Sequence, residues 1–280
     1  MVRFRPIRVP SAAVAAAAAV VALLVLSGCD RFRSPHERGV RSLAAGDYQA
    51  AVQAFTEAAS EAESAGDTTL AAIAYANRCY AYDALGMHEP AVIDCTKSLD
   101  LVPDDTEVIN NRGVAYLNSS LLDEAMGDFD RAIELRPDYA QAYANRGRLW
   151  LDKEDFERAM EDLDKAIELD DQLAEAYANR AFAEENLAQP DAALEDYERS
   201  LEIRPDALVL FTRGMLHYRF ARFDEAYEDF RRAADLEPDS YLGYMARTQA
   251  DFLENRPTSV PQESGEPTTE ATAGAAEEGE

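Results

Sequence analysis

The sequence has few of the side chains on which enzyme sites are usually built. Its three histidines, His36, His88 and His217, stand without a cysteine or an acid at ligand spacing, so we predict no zinc site. A phosphate-binding loop, an H-E-x-x-H motif and a G-x-S-x-G motif are all missing. The sequence therefore predicts no metal, no cofactor and no enzyme chemistry of these kinds.

Positive charge is also scarce. The chain has 27 Lys and Arg residues against 54 Asp and Glu residues, a formal net charge of −27. Without residues 1–28, which carry three arginines and no acid, the formal charge is −30. Such a body repels nucleic acid and anionic lipid head groups, so we predict no nucleic-acid partner. The negative electrostatic field of the protein favours a partner with a basic patch or a basic peptide. Alternatively, the negative charge only keeps the protein soluble.

A period of about 34 residues dominates the rest of the sequence. Within one period, Ala140–Asp171, two runs of apolar residues at helical spacing flank the turn Lys153–Asp155. Three features recur in a single register: a small residue at Ala91, Ala125, Ala159, Ala193 and Ala226, a second small residue at Cys79, Gly113, Gly147, Ala181 and Gly214, and a closing proline at Pro103, Pro137, Pro205 and Pro238. Neither helix can bury its apolar face alone, so the pattern predicts stacked helical hairpins.

This register resembles the tetratricopeptide repeat, a helix–turn–helix unit with small residues where its two helices touch. The resemblance implies an all-α fold, an alpha-alpha superhelix over residues 35–255 whose first helices line a concave groove that holds peptides or proteins. We expect repeats at about 32–65, 72–105, 106–139, 140–173, 174–206 and 207–240, then a capping helix, 241–255, with a polar outer face. An insertion at about Gly66–Ala71 should lengthen the next helix or form a loop, and the shortened fifth repeat should change the angle before the last.

The N-terminus has the layout of a secretory signal. Arg3, Arg5 and Arg8 precede an apolar run that is too short to span a bilayer comfortably. The following residues, Leu26 to Cys29, resemble a bacterial lipobox. The resemblance implies that residues 1–28 are removed and that Cys29 carries acyl chains, with residues 29–34 as a tether to the inner or outer membrane. The alternative is an uncleaved anchor with an incidental cysteine.

One polar pair recurs at a constant interval. An arginine precedes the second small residue in five repeats, and an aspartate follows sixteen positions later on the partner helix. The pairs are Arg78 with Asp94, Arg112 with Asp128, Arg146 with Asp162, Arg180 with Asp196, and Arg213 with Asp229. We predict a structural ladder of ion pairs between helices. A catalytic role for these acids is the less favoured interpretation.

An asparagine precedes four of these arginines, at Asn77, Asn111, Asn145 and Asn179. The resemblance implies that this slot faces the groove, where an amide can both donate to and accept from a bound peptide backbone. Alternatively, these asparagines are helix-surface residues retained by repeat duplication.

Cys79 and Cys95 occupy the slots of Gly147 and Leu163, on the touching faces of one hairpin. In an oxidising compartment they would form a disulfide, and otherwise they are two small buried thiols. After residue 256 the sequence is rich in Pro, Thr, Gly and Glu, and we interpret 256–280 as an acidic, disordered tail.

The layout resembles envelope lipoproteins that serve as adaptors for cell-wall hydrolases and proteases, or in pilus and outer-membrane assembly. The sequence therefore favours a lipid-anchored, periplasmic scaffold for protein partners. Two alternatives stay open: an envelope enzyme or enzyme subunit that acts on peptidoglycan or glycans, and a cytoplasmic co-chaperone. The partner and the oligomeric state do not follow from the sequence.

Overall fold

A computed structural model describes residues 34–256, which form thirteen α-helices and no β-strand within that range. The predicted signal peptide 1–28, the lipidation site Cys29 and the tail beyond Arg256 lie outside the described residues. The helices are α1 Pro35–Ala44, α2 Tyr48–Ala65, α3 Thr68–Ala84, α4 His88–Leu101, α5 Thr106–Asn118, α6 Leu122–Leu135, α7 Ala140–Asp152, α8 Phe156–Leu169, α9 Ala174–Asn186, α10 Pro190–Ile203, α11 Ala207–Arg219, α12 Phe223–Leu236 and α13 Tyr241–Glu254.

Six hairpins, α1–α2 to α11–α12, stack in chain order, and α13 closes the stack. Each helix packs mainly against the one before it and the one after it, as in a solenoid. The core therefore runs along the stack as a series of buried clusters rather than as one central core. Within residues 34–256 there is no helix that combines the length and apolar character needed to cross a membrane.

Small residues on the first helix let the second helix approach closely. A Cβ atom added to Gly147 would lie 2.7 Å from Cγ of Leu163, well inside van der Waals contact. Gly113 meets Phe129 in the same way, at 2.7 Å from its Cε1 atom. Since the large side chain fills the space that a Cβ would take, the small–large pair sets the distance between the two helices of the hairpin.

The turn inside each hairpin has three residues, and its middle residue is left-handed. Glycine holds that position in the first two hairpins, at Gly46 and Gly86. The other four hairpins use residues with a side chain, with φ between 56° and 63°, at Ser120, Glu154, Ala188 and Ala221. A Cβ is disfavoured in this conformation, so these four turns carry a modest local strain.

The predicted insertion lengthens two helices. α2 has 18 residues and α3 has 17, whereas the later second and first helices have 14 and 13. The inserted residues thus add about one turn to the end of α2 and one to the start of α3. Gly66, with φ 69°, ends α2, and the Asp67 carboxylate caps α3 by accepting a hydrogen bond from the Leu70 amide. Thr69, in the added turn, becomes part of the concave wall described below.

The outer face of α13, expected to be polar, is a mixture of polar and aromatic side chains. Gly243 and Ala246 pack inward, and Gly243 lies so close to the end of α12 that an added Cβ would be 1.8 Å from the carbonyl oxygen of Glu237. The opposite side of α13 exposes Tyr241, Tyr244 and Phe252 to solvent. The buried side of α13 consists of small residues and Leu253, so its apolar character alone does not say which side the stack covers.

Candidate functional site

The first helices of the repeats form the inner side of the stack. α3 contacts both α1 and α5, and α7 contacts both α5 and α9. Second helices of neighbouring repeats do not approach one another to this extent within residues 34–256. Helices that lie closer to their counterparts sit on the inside of a curve, so the first helices line the concave face.

A groove of ≈ 250 Å³ opens on this face between α1, α3 and α5. Its surface is mostly apolar, and two of its large apolar side chains stay open to solvent, Ile73 at 42% and Val102 at 41% exposure. The residues around it are Val40, Leu43, Ala44, Thr69, Ala72, Ile73, Ala76, Asn77, Tyr80, Ser98, Val102, Asp105, Glu107, Val108 and Asn111. Among residues 34–256, no lysine or arginine lines the groove, and its charged side chains, Asp105 and Glu107, are both acidic.

The four predicted asparagines do not form one continuous row. Asn77 and Asn111 line the groove and are half-buried. The amide nitrogen of Asn145 donates a hydrogen bond to Asn110, at 2.9 Å, and Asn179 is only 4% exposed. Two of the asparagines therefore line the groove, although the amide nitrogen of Asn77 also donates to the carbonyl oxygen of Ile73. Asn145 is bonded to the preceding repeat, and Asn179 is buried.

Each predicted arginine–aspartate pair is a two-point contact between the helices of one hairpin. Nε of Arg146 donates to Asp162 at 2.8 Å, and an Nη atom donates to its second oxygen at 2.7 Å. The same geometry occurs for Arg78 with Asp94, Arg112 with Asp128, Arg180 with Asp196, and Arg213 with Asp229. The five aspartates are buried, at 3% to 8% exposure. They therefore lie in the packed interior of the hairpins, away from the groove.

The arginines also reach the preceding repeat, which sequence reasoning missed. The free Nη atom of Arg146 donates to Asp130, and that of Arg180 donates to Asp164, at 2.7 and 2.6 Å. In earlier repeats Arg78 and Arg112 donate to threonine hydroxyls on the second helix before them, Thr56 and Thr96. Each of these arginines thus joins three helices. The signal was present in the sequence, because three of the four acceptors stand sixteen residues before the arginine.

The shortened fifth repeat breaks this series. Three residues, 204–206, join α10 to α11, whereas four join α6 to α7. Arg213 keeps Asp229 but makes no hydrogen bond to α10 within the described residues. An open cleft of ≈ 870 Å³ lies here between α10 and α12, on the convex side.

A disulfide joins Cys79 of α3 to Cys95 of α4. Both cysteines are fully buried, and they stand in the slots that hold Gly113 and Phe129 in the next repeat. A covalent bond thus replaces the small–large pair in the hairpin that supplies the centre of the groove. The wall formed by α3 is consequently tied to the helix behind it.

The slot four residues after the ladder arginine changes character along the chain. It holds Tyr82, Tyr116 and Trp150, and then Glu184 and His217. Burial raises the pKa of the Glu184 carboxyl to about 7, with a further contribution from Asp196, and its Oε2 atom has no hydrogen-bond partner within the described residues. Burial also lowers the pKa of His217. The two titratable groups therefore stay neutral more readily than they would in water.

These features define a class of protein: a solenoid of helical hairpins with a preformed groove on its inner face. Profiles of the family described as the tetratricopeptide repeat match residues 106–139, 140–173, 174–206 and 207–240. Residues 106–240 thus consist of tetratricopeptide repeats, whose stacked hairpins act as protein-binding scaffolds.

Solved structures show the same fold at low sequence identity. A thermophilic tetratricopeptide-repeat protein of Thermus thermophilus is similar with a TM-score of 0.58 and 17% identity, over 65% of this chain and 98% of that one. PilF of Pseudomonas aeruginosa gives 0.56 and 18%, over 66% and 90%. The Cut9–Hcn1 assembly of the APC/C gives 0.68 and 15%, over 86% and 46%.

Among curated proteins, the mitochondrial import receptor subunit TOM70 of Rattus norvegicus is 30% identical over 93 residues, which is 33% of this chain. The protein of Mus musculus matches to the same extent. The aligned stretch spans only 15% of the length of these relatives. The similarity is that of a few repeats and extends to no larger part of either receptor.

Proposed function

We propose that this protein is a lipid-anchored scaffold of the bacterial cell envelope that binds a protein or peptide segment in the groove between α1, α3 and α5. The observation that carries the proposal is the groove itself, which combines an apolar floor with the amides of Asn77 and Asn111. An apolar surface with a few polar groups is typical of a site that binds side chains and fixes a backbone at the same time.

The chemistry of the groove favours a segment with a small apolar side chain and positive charge nearby. Ile73 and Val102 offer apolar contact, while Asp105 and Glu107 stand at the rim. Glu107 makes one long ion pair within the described residues, with its carboxylate 3.8 Å from the guanidinium of Arg136, and its side chain is 52% exposed. Its charge therefore remains available to a basic residue of the partner.

Preorganisation supports the same proposal. The disulfide between Cys79 and Cys95 fixes α3 against α4, so little conformational freedom is lost when a ligand enters. A disulfide also suits an oxidising compartment, in agreement with export through the signal-like residues 1–28. Acyl chains on Cys29 would then hold the groove near the membrane and raise its effective concentration there.

A pull-down from envelope extract tests the groove. The bait is the chain from residue 30 onward, compared with the double variant Asn77→Ala, Asn111→Ala and with Ile73→Asp. The matched control is Asn186→Ala, because Asn186 bonds the carbonyl four residues before it, as Asn77 does, but lies outside the groove.

We expect a partner that the wild type and Asn186→Ala retain and that both groove variants lose, with unchanged circular dichroism. Binding should weaken as salt is added if the partner is basic. Equal retention by all variants would move the interface away from the groove and refute the proposed site.

Membrane attachment is tested separately. Fractionation should place the protein with membranes and place Cys29→Ser in the soluble envelope fraction if its precursor is processed. Mass spectrometry of the N-terminal peptide should show an acylated Cys29. An unmodified Cys29, or an intact N-terminus, would refute the lipid anchor without affecting the groove.

A further inference from the structure

The outer face of α13 is the largest exposed aromatic surface in the described part of the chain. Tyr241 is 79% exposed, Tyr244 is 60% exposed and Phe252 is 57% exposed. With Thr248 between them, they form a single stripe along the helix, since residues three, four and eight apart share a face. Isolated exposed aromatics are ordinary, but a continuous stripe on one helix indicates a contact surface.

The repeat register shows what this face does elsewhere in the molecule. Thr248 occupies the slot of Gly214, which lies against Phe230 of its own second helix. Tyr244 occupies a slot that the second helix helps to cover in complete repeats, where Tyr143 is half-buried and the other counterparts are at most 9% exposed: Tyr75, Ile109, Tyr177 and Leu210. The stripe is therefore the face that a second helix covers in every hairpin, and within the described residues α13 has no second helix.

One side chain of the stripe differs from its counterparts in most complete hairpins. A close second helix needs a small residue in the slot of Gly147 and Gly214, where α13 has Thr248. Tyr244 stands in a slot that also holds tyrosine in complete hairpins, at Tyr143 and Tyr177. The branched side chain of Thr248 holds a second helix further away than glycine does, and the exposed aromatics on either side of it suit interdigitation with side chains of a partner. The chain after Arg256 has a single large apolar residue, Val260, so it does not carry the apolar positions that such a contact needs.

We propose that α13 is the contact helix of a symmetric dimer, in which the same face of a second copy of this chain covers Tyr244, Thr248 and Phe252. Tyr244 and Phe252 stand four residues on either side of Thr248. In an antiparallel pair centred on Thr248, Tyr244 of each copy meets Phe252 of the other. The stripe is thus complementary to itself, as a two-fold interface requires.

The charges on α13 agree with this arrangement. Arg247 stands in the ladder slot but makes no ion pair within the described residues, and its side chain donates only to the carbonyl oxygen of Pro238, at 3.3 Å. Asp251 lies on the same flank of the stripe, one turn further on. Because this flank faces its own counterpart in an antiparallel pair, Arg247 of one copy lies near Asp251 of the other.

Net charge also points to this end of the molecule. Residues 241–256 carry two arginines and two acids, whereas α8 carries five acids and two basic residues. Two chains of net charge −27 repel each other over most of their surfaces, and least where the local charge is balanced. Three aromatics from each copy remove roughly 800 Å² of apolar surface from water. That area is below the standard interface size, so we expect a dimer of micromolar affinity.

The test uses the full-length chain, co-expressed with two different tags and extracted in mild detergent. Copies that carry one tag should co-purify copies that carry the other. The double variant Tyr244→Asp, Phe252→Asp should lose at least nine tenths of this recovery, and Ile93→Asp, an exposed apolar residue on α4, should lose none. Thermal melting monitors folding of each variant.

A cysteine at the predicted axis tests the geometry. Thr248→Cys should form a disulfide-linked dimer on mild oxidation, above the level of the parent chain with Cys29 and the Cys79–Cys95 pair. Glu161→Cys, exposed on α8, should stay at the parent level. Arg247→Glu should weaken recovery, and adding Asp251→Arg should restore it.

Three results would overturn the proposal: no co-purification at micromolar concentration, recovery that survives Tyr244→Asp, Phe252→Asp, or a Thr248→Cys chain that cross-links no more than the Glu161→Cys control. The first would leave α13 as an exposed end, and the second would move self-association elsewhere. The outcome is independent of the groove, since α13 and the groove lie at opposite ends of the stack.

Discussion

Removing Asp162 from the ladder should destabilise the protein by about 3 kcal/mol. The two oxygens of this buried carboxylate accept hydrogen bonds from Arg146, and breaking an enclosed pair from one side costs ~3–5 kcal/mol. We place Asp162→Ala at the lower end because the Arg146 side chain is 23% exposed and keeps Asp130 as a second partner. The cost comes mainly from the charge left behind on Arg146.

Chemical denaturation followed by circular dichroism measures this cost, with Asp130→Ala as the matched control. Asp130 contacts the same arginine at 2.7 Å, but its side chain is 49% exposed, so its removal should cost less than about 1 kcal/mol. The double variant Arg146→Met, Asp162→Leu removes both charges and should recover most of the lost stability. Loss of less than about 0.5 kcal/mol for Asp162→Ala, or equal losses for both aspartates, would refute a structural ladder.

Three further predictions concern single slots. The double variant Cys79→Ala, Cys95→Ala should lower the free energy of unfolding by about 3 kcal/mol, as expected for a closed loop of this length. The double variant Cys79→Gly, Cys95→Phe should recover part of this loss, because it restores a small–large pair. Denaturation midpoints with and without reductant measure both effects. Gly147→Val should lower the free energy of unfolding by about 1–3 kcal/mol, because the new side chain clashes with Leu163. Adding Leu163→Ala in the same chain should relieve the clash. If the losses of the two single variants simply add in the double variant, the two residues are not in contact as described. Because the pKa of Glu184 is about 7 in the fold and 4.5 in the unfolded chain, the free energy of unfolding should fall as pH rises from 4.5 through 7, by at most about 3 kcal/mol. Glu184→Gln should remove this pH dependence. A pH profile that the substitution leaves unchanged would exclude Glu184 as the cause.

The repeat register made most of the fold predictable. Once Gly113, Gly147 and Gly214 are aligned, the helices, the hairpins and the all-α fold follow, because a small residue and a large partner must meet at constant spacing. The arginine–aspartate spacing likewise places Asp162 beside Arg146. These predictions needed only contacts inside one repeat, which the sequence repeats several times.

Contacts between repeats were harder to predict. The register gives Asn77 and Asn179 the same slot, yet Asn77 lines the groove and Asn179 is buried. The difference arises from how closely neighbouring first helices approach, which depends on side chains in the flanking repeats. The exposed aromatics of α13 were not predicted for the same reason, since periodicity fixes which residues share a face but not which face the stack covers.

The departures from the repeat fall at the two proposed binding surfaces. The insertion lengthens α3 by a turn and brings Thr69 to the groove, and the disulfide at Cys79 stiffens that same helix. At the other end, α13 keeps the ladder slot at Arg247 but lacks the helix that would supply its aspartate within the described residues. In regular repeats, the recurring residues make packing contacts with neighbouring repeats. A residue that departs from the pattern does not make those contacts and can contact another chain instead. On this argument, the groove at α1, α3 and α5 and the aromatic face of α13 are two separate sites, and a dimer through α13 would hold two grooves apart for bivalent binding.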